Sequence, residues 1–372
     1  MRKIFFWTHL IAGSTAALII LIMSVTGVLL MYEHQMIAWA DRGYKSAPSA
    51  TKLSPEALLN AVAEQENAKP SSLTLYAATD APAEIAVGPR IVYADTGTGQ
   101  VLGHGAQGIR RFFRVVTDWH RWLAMEGPKR QVGKAITGAA NLIFLGLALS
   151  GMYLWLPRKW TAGNVRAVAL FRGGLSGKAR DFNWHNVIGI WSAVPLVFVI
   201  LGALVISYPW ATNLVYRVSG DAPPAPARPP GQGGGSPRIA GLDRAWKQAE
   251  AAVPGWQTIT WRASGGERIS LAVAESHRGR VDLKSTVIVD RATGAVIEHE
   301  QYNTFSRGRQ WRLWLRFIHT GEALGIAGQT IAGVVSAGGA VLVWTGLALT
   351  WRRFRAWRAR TESSKPSVAA VR

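Results

Sequence analysis

The chain has 372 residues, of which 49% are hydrophobic and only 17% are charged, so it is more apolar than an average soluble protein. Its net charge of +20 is concentrated in short segments beside apolar runs, which argues against a nucleic-acid-binding protein. The sequence contains no cysteine, which excludes disulfides, thiolate-bound iron–sulfur clusters and covalently attached c-type haem.

Four apolar runs are each long enough to cross a bilayer as a helix, which takes about 20 residues. The first is interpreted as a retained span, because it is too long for a signal peptide and no cleavage site follows it before His34. Basic residues crowd residues 157–181 and 352–372, and Arg2 and Lys3 open the chain. The positive-inside rule therefore predicts both termini and the middle loop in the cytoplasm. The predicted spans are Leu10–Tyr32, Ile136–Leu156, Val187–Tyr208 and Ile326–Thr350.

Two segments outside the membrane each predict one helix and one β-hairpin. Proline at a first helical position and an aspartate before a helical run are typical start signals, and aspartate and glycine between β-branched runs favour a hairpin. A Pro/Gly-rich segment, Ala222–Pro237, is predicted to be a flexible linker. The predicted helices are Ala57–Glu66 and Arg244–Ala252, and the hairpins turn at Asp95…Thr98-Gly99 and Asp290…Thr293-Gly294.

Matching features in the two halves indicate an internal duplication of the order span, outer domain, span. His9 and His185 are 176 residues apart, His120 and His319 are 199 apart, and the hexapeptide 145–150 resembles 345–350. We therefore predict a membrane α-helical four-span bundle with two α+β outer domains. The predicted divisions are span one (1–34), outer domain one (35–118), outer juxtamembrane segment and span two (119–157), basic loop (158–184), span three (185–210), linker and outer domain two (211–310), outer juxtamembrane segment and span four (311–351) and basic tail (352–372).

Several motifs resemble those of the PepSY-associated transmembrane helix family, over almost the whole chain. They are the two Asp…Thr-Gly hairpins, the segment Ser150–Arg158, the segment Phe182–Gly189 and the run His319-Thr-Gly321-Glu. The resemblance implies two periplasmic PepSY-type domains and a location in the bacterial inner membrane. Within the family, the FoxB-like ferric-siderophore reductases are the most similar type. This implies two haems, with a ferric siderophore or another ferric chelate as the electron acceptor.

The first candidate site is formed by His9 and His185, which stand at the same edge of spans one and three. These spans run in the same direction, so the two imidazoles are predicted to lie at one level. Paired histidines on facing helices can hold a haem iron from both sides. Gly13 and Gly189, one turn further in, are expected to leave room for a porphyrin. The alternative is two hydrated histidines at the membrane interface.

The second candidate site is formed by His120 and His319, on amphipathic segments Ile109–Met125 and Arg312–Leu324. From His120 to Arg158 a straight helix would measure about 57 Å, longer than a bilayer of about 40–45 Å. A helix break is therefore predicted at Glu126-Gly127-Pro128.

His34 is a rival ligand for this outer site. Its equivalent 176 residues later is Trp210, not a histidine. A haem on a pseudo-two-fold axis takes one ligand from each half, which favours His120 with His319. Both haems are predicted to be non-covalent haem b with two histidine ligands.

Arginines flank both candidate sites and suit the carboxylates of haem propionates, although membrane anchoring is the better explanation for any single one of them. An aromatic belt accounts for most of the 17 tryptophans; those beside the outer histidines could instead pack on haem. His104, His277 and His299 are expected at the surface of the outer domains. The arginines are Arg121, Arg312 and Arg316 outside and Arg180 inside.

These features predict a di-haem oxidoreductase that passes electrons across the membrane, and the resemblance to the siderophore reductases implies that the external acceptor is a ferric chelate. No flavin or nicotinamide domain is recognisable, so the donor is expected to be another protein or a quinol. One alternative is a PepSY-type binding or regulatory protein with structural histidines. A metal permease is disfavoured, because no acidic residue lies in the middle of a predicted span.

Overall fold

The computed structural model describes residues 1–47, 51–157, 159–225, 238–276 and 280–363. Most of the predicted linker Ala222–Pro237, His277, Arg158 and the end of the basic tail lie outside the described residues.

Four long apolar helices pack into a bundle, which confirms the predicted spans and a multi-pass membrane protein. Each helix contacts two neighbours, in the cyclic order α1, α5, α7, α11, so α1 and α7 lie diagonally opposite. The end of the bundle that carries residue 2 and residue 363 is called the basic end, and the other the sheet end. The helices are α1 (Arg2–Leu30), α5 (Arg130–Trp155), α7 (Gly177–Ser207) and α11 (Gly325–Ser363).

Two short helices carry the outer histidines and pack on the spans. Helix α4 (Gln107–Trp122) contacts α1 and α5, and α10 (Arg307–His319) contacts α7. The break after α4 was predicted, but its position was not. The helix ends at Trp122 because Leu123 adopts a left-handed conformation (φ 53°) and its N–H caps the carbonyls of Asp118 and Trp119.

Helix α10 begins earlier than predicted and ends earlier. The hydroxyl of Ser306 accepts the backbone N–H of Arg309, which fixes the start of the helix. Gly321 (φ 71°) then turns the chain through a short 3₁₀ segment, Glu322–Leu324, into α11. The remaining short helices are α2 (Glu33–Asp41), α3 (Pro55–Glu66), α6 (Ala162–Ala169), α8 (Pro209–Val218) and α9 (Leu242–Ala252).

The two outer segments form one eight-stranded antiparallel sheet instead of two separate domains. The strand order is β4-β3-β2-β1-β5-β6-β7-β8, so strands β1 to β4 come from the first segment and β5 to β8 from the second. Strands β1 and β5 would each be an exposed edge in a separate domain, and pairing them satisfies their backbone groups. In chain order from β1 to β8, the strands are Pro70–Tyr76, Ala83–Val87, Arg90–Ala94, Val101–Gly103, Thr258–Arg262, Arg268–Ala274, Lys284–Asp290 and Val296–Gln301.

Helices α3 and α9 cover one face of this sheet and bury a single core that draws on both segments. Leu58 and Leu59 of α3, Leu242 of α9 and Trp261 of β5 are fully buried there. Ser54 caps α3 by accepting the N–H of Ala57, as the start signal predicted.

The two predicted hairpins are confirmed and have the same turn chemistry. Asp95 accepts the backbone N–H groups of Gly97 and Thr98 and the hydroxyl of Thr98. Asp290 accepts the equivalent groups of Ala292 and Thr293. A glycine with positive φ follows each threonine, which allows the chain to reverse.

Candidate functional site: two facing histidine pairs

His9 and His185 face each other at the basic end of the bundle. They project from the diagonal helices α1 and α7, and their ring centres lie 6.4 Å apart with the planes at 84°. The structure therefore brings together the two residues that the sequence paired.

Each ring of this basic-end pair is oriented by a hydroxyl on a neighbouring helix. Nδ1 of His9 lies 2.8 Å from Oγ of Ser150, and Nδ1 of His185 lies 2.9 Å from Oγ1 of Thr345. Both hydroxyls donate their own hydrogen to a backbone carbonyl one turn back, of Gly146 and Val341 respectively. The imidazole Nδ1 must therefore donate, which leaves the Nε2 lone pair of each ring available to a metal.

His120 and His319 face each other in the same way at the sheet end. Their ring centres lie 6.2 Å apart, with the planes at 40°. Nδ1 of His120 lies 2.9 Å from Oγ1 of Thr26, which donates its hydrogen to the carbonyl of Ile22. Nδ1 of His319 donates to the carbonyl of Val199 at 2.9 Å. All four histidines are thus held in one tautomer, with Nε2 unprotonated.

Three hydroxyl–glycine dipeptides on neighbouring helices hold these rings, and the sequence interpretation did not identify their role. They are Thr26-Gly27, Ser150-Gly151 and Thr345-Gly346. A Cβ built on Gly27 would lie 3.6 Å from Cε1 of His120, and one on Gly151 or Gly346 would lie 3.4 Å from Cε1 of His9 or His185. Each glycine therefore lies directly against the edge of an imidazole, at a distance where a Cβ would be in van der Waals contact with it.

The sequence repeat did include residues of two of these dipeptides, but it aligned them with the wrong counterparts. The hexapeptide match at 145–150 and 345–350 pairs Ser150 with Thr350. In the structure Ser150 and Thr345 have the same role, 195 residues apart, and the hydroxyl of Thr350 bonds the carbonyl of Gly346.

Gly13 and Gly189 lie against leucines of neighbouring helices. A Cβ on Gly13 would meet Leu147 at 3.6 Å, and one on Gly189 would meet Leu342 at 3.7 Å, both ordinary van der Waals contacts. Gly151 and Gly346 are the glycines beside the basic-end rings.

A cavity of about 780 Å³ surrounds the sheet-end pair, within the range of cofactor pockets. His120, His319 and His34 all line it. Deeper in the cavity, the amide of Asn141 is only 7% exposed. The rim is rich in basic groups, namely Arg121, Arg130, Lys134, Arg312 and Arg316, with Glu33 and Glu322 as acids.

The other predicted side chains separate into those at the sites and those away from them. His34 is exposed on α2, whereas His120 and His319 are the histidines of this cavity whose rings meet. Arg180 pairs with the buried Asp181 at 2.9 Å, and Arg352 binds the same carboxylate. The guanidinium of Arg121 stacks on Trp122, 4.5 Å from the ring centre.

Two outer-domain histidines that the sequence assigned to the surface lie outside both pairs. His104 pairs with Glu66 at 2.8 Å. His299 is on β8, and its ring contacts Gln301.

Each histidine-bearing short helix is anchored at its N-terminus by an aspartate that follows a span. Asp41 accepts the N–H of Ala106 at 2.7 Å and pairs with Arg110 of α4 at 2.5 Å. Asp221 accepts the N–H of Gly308 in α10. These aspartates fix α4 and α10 against the spans, and thereby fix His120 and His319. The sequence interpretation did not identify them, because neither belongs to a recognisable motif.

A glycine also lies at each crossing of these short helices with the bundle. A Cβ on Gly133 would overlap the carbonyl of Trp122, and one on Gly202 would overlap the carbonyl of Leu315. The close crossing is what lets the sheet-end histidines enter the bundle.

Comparison with known proteins gives one family. No curated protein matches the chain significantly. Residues 6–353 match the family described as the PepSY-associated TM region, which spans all four long helices and the sheet. The chain therefore belongs to the PepSY-associated transmembrane-region family.

Proposed function

We propose that the protein is a di-haem b oxidoreductase of the bacterial inner membrane, which passes electrons across the membrane to a periplasmic ferric siderophore. The observation that carries this proposal is the pair of facing histidine couples, one at each end of the bundle, with every Nε2 free to bind a metal. The family membership supports a membrane protein of PepSY type, and the FoxB-like assignment is part of the proposal.

The spacing of both pairs fits an iron between two imidazoles. An imidazole nitrogen binds a metal at about 2 Å, so two rings on opposite sides of one metal have centres roughly 6 Å apart. The observed separations are 6.4 Å and 6.2 Å.

The number of ligands also favours a porphyrin over a bare metal ion. A structural or catalytic zinc site takes three or four protein ligands. Among the described residues, no group of three or more His, Asp or Glu side chains could hold a metal ion. Two histidines supply only two axial positions, which suits a metal that brings its other four nitrogens with it.

At the sheet end, the cavity and its basic rim fit a porphyrin that carries two carboxylates. Arg121 and Arg316 are the residues that we assign to the propionates, because guanidinium groups bind carboxylates in a bidentate manner. The Nδ1 atoms of His120 and His319 are held by hydrogen bonds to Thr26 and Val199, and these bonds would fix the orientation of the two imidazoles that would hold the haem.

Bound haems would supply one-electron transfer, with histidines at both axial positions favouring outer-sphere chemistry over oxygen binding. The protein's contribution is to set their positions. Along α1, His9 and Thr26 are separated by about 25 Å of helix rise, close to the hydrocarbon thickness of about 30 Å. The two pairs therefore stand near opposite membrane faces, with the sheet end in the periplasm and the basic end in the cytoplasm.

The reaction at the sheet end is reduction of a chelated Fe(III) to Fe(II), which siderophores bind much less tightly. The electron enters at the basic end from a quinol or a cytoplasmic electron-carrier protein. In this proposal His9 and His185 serve the entry side, and His120 and His319 the exit side, with His34 at the cavity mouth.

The test is spectroscopic and kinetic. We expect purified protein to be red, with a Soret band, a low-spin reduced α-band and two haems per chain, and the dithionite-reduced protein to be reoxidised by a ferric siderophore with formation of Fe(II). Colourless protein from haem-replete cells would instead support the alternative, a PepSY-type binding or regulatory protein whose eight-stranded sheet binds a peptidase or peptide.

A further inference from the structure

A second, smaller cavity of about 290 Å³ lies between α4 and the turn that joins β2 to β3. Gln107, Arg111, Arg114 and Asp118 line it from α4, and Pro89 and Arg90 line it from the turn. Its volume is near the lower limit for ligand pockets, so it suits a small group or one arm of a larger molecule.

The charges around this pocket are only partly balanced. Arg90 pairs with Glu66 at 3.3 Å, and Asp118 is 3.5 Å from Arg130. Arg114 donates to the backbone carbonyl of Pro89, and Arg111 has no hydrogen bond or ion pair within the part of the chain that the structure describes. Two guanidinium groups therefore border the pocket without an acidic partner, an arrangement that attracts an oxyanion.

The position of the pocket relates it to the sheet-end histidines. Its lining residues on α4 recur at four-, three- and four-residue intervals, which places them on one face of the helix. Arg111 and His120 are nine residues apart, or about 2.5 turns, so they lie on opposite faces. A ligand at Arg111 would thus be separated from His120 by the width of one helix, about 10 Å, and by about 13 Å along the helix axis.

We propose that this pocket binds a carboxylate of an anionic ferric chelate through Arg111 and Arg114. This inference rests on the proposed function, because it names the substrate class that the sheet-end haem reduces. Carboxylate and guanidinium groups match in geometry as well as in charge, so the site selects polycarboxylate chelates over neutral trihydroxamate chelates.

Binding of ferric citrate to the full-length protein tests this, in nanodiscs made only of zwitterionic phosphatidylcholine. Equilibrium dialysis should give a Kd that rises about fivefold or more in the double variant R111Q/R114Q, since two ionic contacts are lost and each exposed contact of this kind is worth up to about fivefold. R262Q removes an exposed arginine on β5 that borders neither cavity, and its Kd should stay within about twofold of wild type. The single variant R111Q is included because Arg111 is exposed and makes no hydrogen bond or ion pair with the described residues, so a loss of affinity in this variant cannot be due to misfolding.

Three results would overturn the inference. They are an unchanged Kd in R111Q/R114Q, equal loss of affinity in R262Q, and a double variant that loses only its association with phosphatidylglycerol in mixed-lipid nanodiscs. The last result would assign the pocket to a lipid headgroup. Haem content is measured on the same samples. If haem-free protein binds ferric citrate and the binding depends on the two arginines, the proposed function alone is refuted. If haem-loaded protein reduces a neutral chelate and its Kd for ferric citrate is unchanged in R111Q/R114Q, this inference alone is refuted.

Discussion

Nδ1 of His185 lies 2.9 Å from Oγ1 of Thr345, a hydroxyl whose own hydrogen is already donated to the carbonyl of Val341. The threonine can therefore only accept from the imidazole, and this fixes which ring nitrogen is free. The same arrangement holds His9 through Ser150 and His120 through Thr26, on three different helices.

Replacing Thr345 by valine keeps the shape of the side chain and removes the acceptor. We expect T345V to weaken haem retention at the basic-end site about 10- to 100-fold, the usual cost of losing a hydrogen bond that orients a ligand, and to shift the midpoint potential of that haem. Haem titration and redox potentiometry measure both effects. T350V is the matched control, since Thr350 bonds only the backbone of its own helix. Equal behaviour of the two variants would contradict the assigned role.

Removing a ligand should remove one haem and leave the other. H185A is expected to lower the haem content from two to one per chain, and H319A to do the same at the sheet end, because each pair is complete in itself. The pyridine haemochrome assay gives the stoichiometry. H34A, which changes another histidine that lines the sheet-end cavity, should retain both haems. Loss of both haems in H185A, or of one in H34A, would show that the pairing is wrong.

Gly202 and Gly13 lie on diagonal helices, and we expect alanine to be tolerated at Gly13 but not at Gly202. In G202A the new Cβ would overlap the carbonyl of Leu315 and lie 2.7 Å from Cβ of His319, so α10 must move away from α7. We expect destabilisation of about 1–3 kcal/mol and loss of the sheet-end haem alone. In G13A the Cβ meets Leu147 at 3.6 Å, an ordinary contact, and the protein should keep both haems. Thermal unfolding and haem content of the two variants make the comparison, and similar losses in both would refute it.

The aspartate anchors of α4 and α10 should matter for haem binding although they touch no histidine. D41A removes the carboxylate that pairs with Arg110 and that accepts the hydroxyl of Tyr93 and the N–H of Ala106, at a cost of about 3–5 kcal/mol for a buried pair. The expected result is weaker haem retention at the sheet end with the basic-end haem unchanged. D80N, which loses only an exposed pair with Lys45, should resemble wild type. A uniform loss of both haems in D41A would indicate general unfolding instead.

The free energy of unfolding of the sheet should fall at acid pH because Asp95 becomes protonated. Burial raises the pKa of this carboxyl, but the N–H groups of Thr98 and Ala47 and the hydroxyl of Ser46 stabilise the carboxylate more, and lower the pKa from 3.8 to about 2. Because the folded-state pKa is depressed, this stabilisation is complete above about pH 4 and is lost as the pH falls toward 2.

Unfolding followed by the fluorescence of the buried Trp261 should show that loss over the same range of pH. D95N should reduce the dependence clearly, and D290N should reduce it less, because the pKa of Asp290 is also lowered by its turn but that turn is more exposed than the turn at Asp95. Acid sensitivity that persists undiminished in D95N would assign the effect to other groups.

The sequence predicted the spans, the hairpins and both histidine pairs for a common reason. Hydropathy, turn chemistry and repeated spacing are local signals, and a histidine at a span edge can be matched to its counterpart by offset alone. The partners of the histidines depend on which helices are neighbours and how they cross. Nothing local to Thr345 reveals that α11 lies beside α7, so its role required the structure.

The pairing of the two outer segments into one sheet could not be predicted from local sequence signals, for the same reason. Thr74 and Thr260 share a hydrogen bond across the pairing of β1 with β5, although they are 186 residues apart. The sequence of each segment is compatible with a separate small domain, and only the unsatisfied edges of β1 and β5 decide between the two arrangements.

The pairing of β1 with β5 also sets an order of assembly during synthesis. Ser72 is synthesised long before Arg262, its partner 190 residues later. In that interval the first half presents an open strand that other nascent chains can join. A protein truncated after residue 225 would keep that strand open permanently, and such fragments should aggregate unless a chaperone covers them.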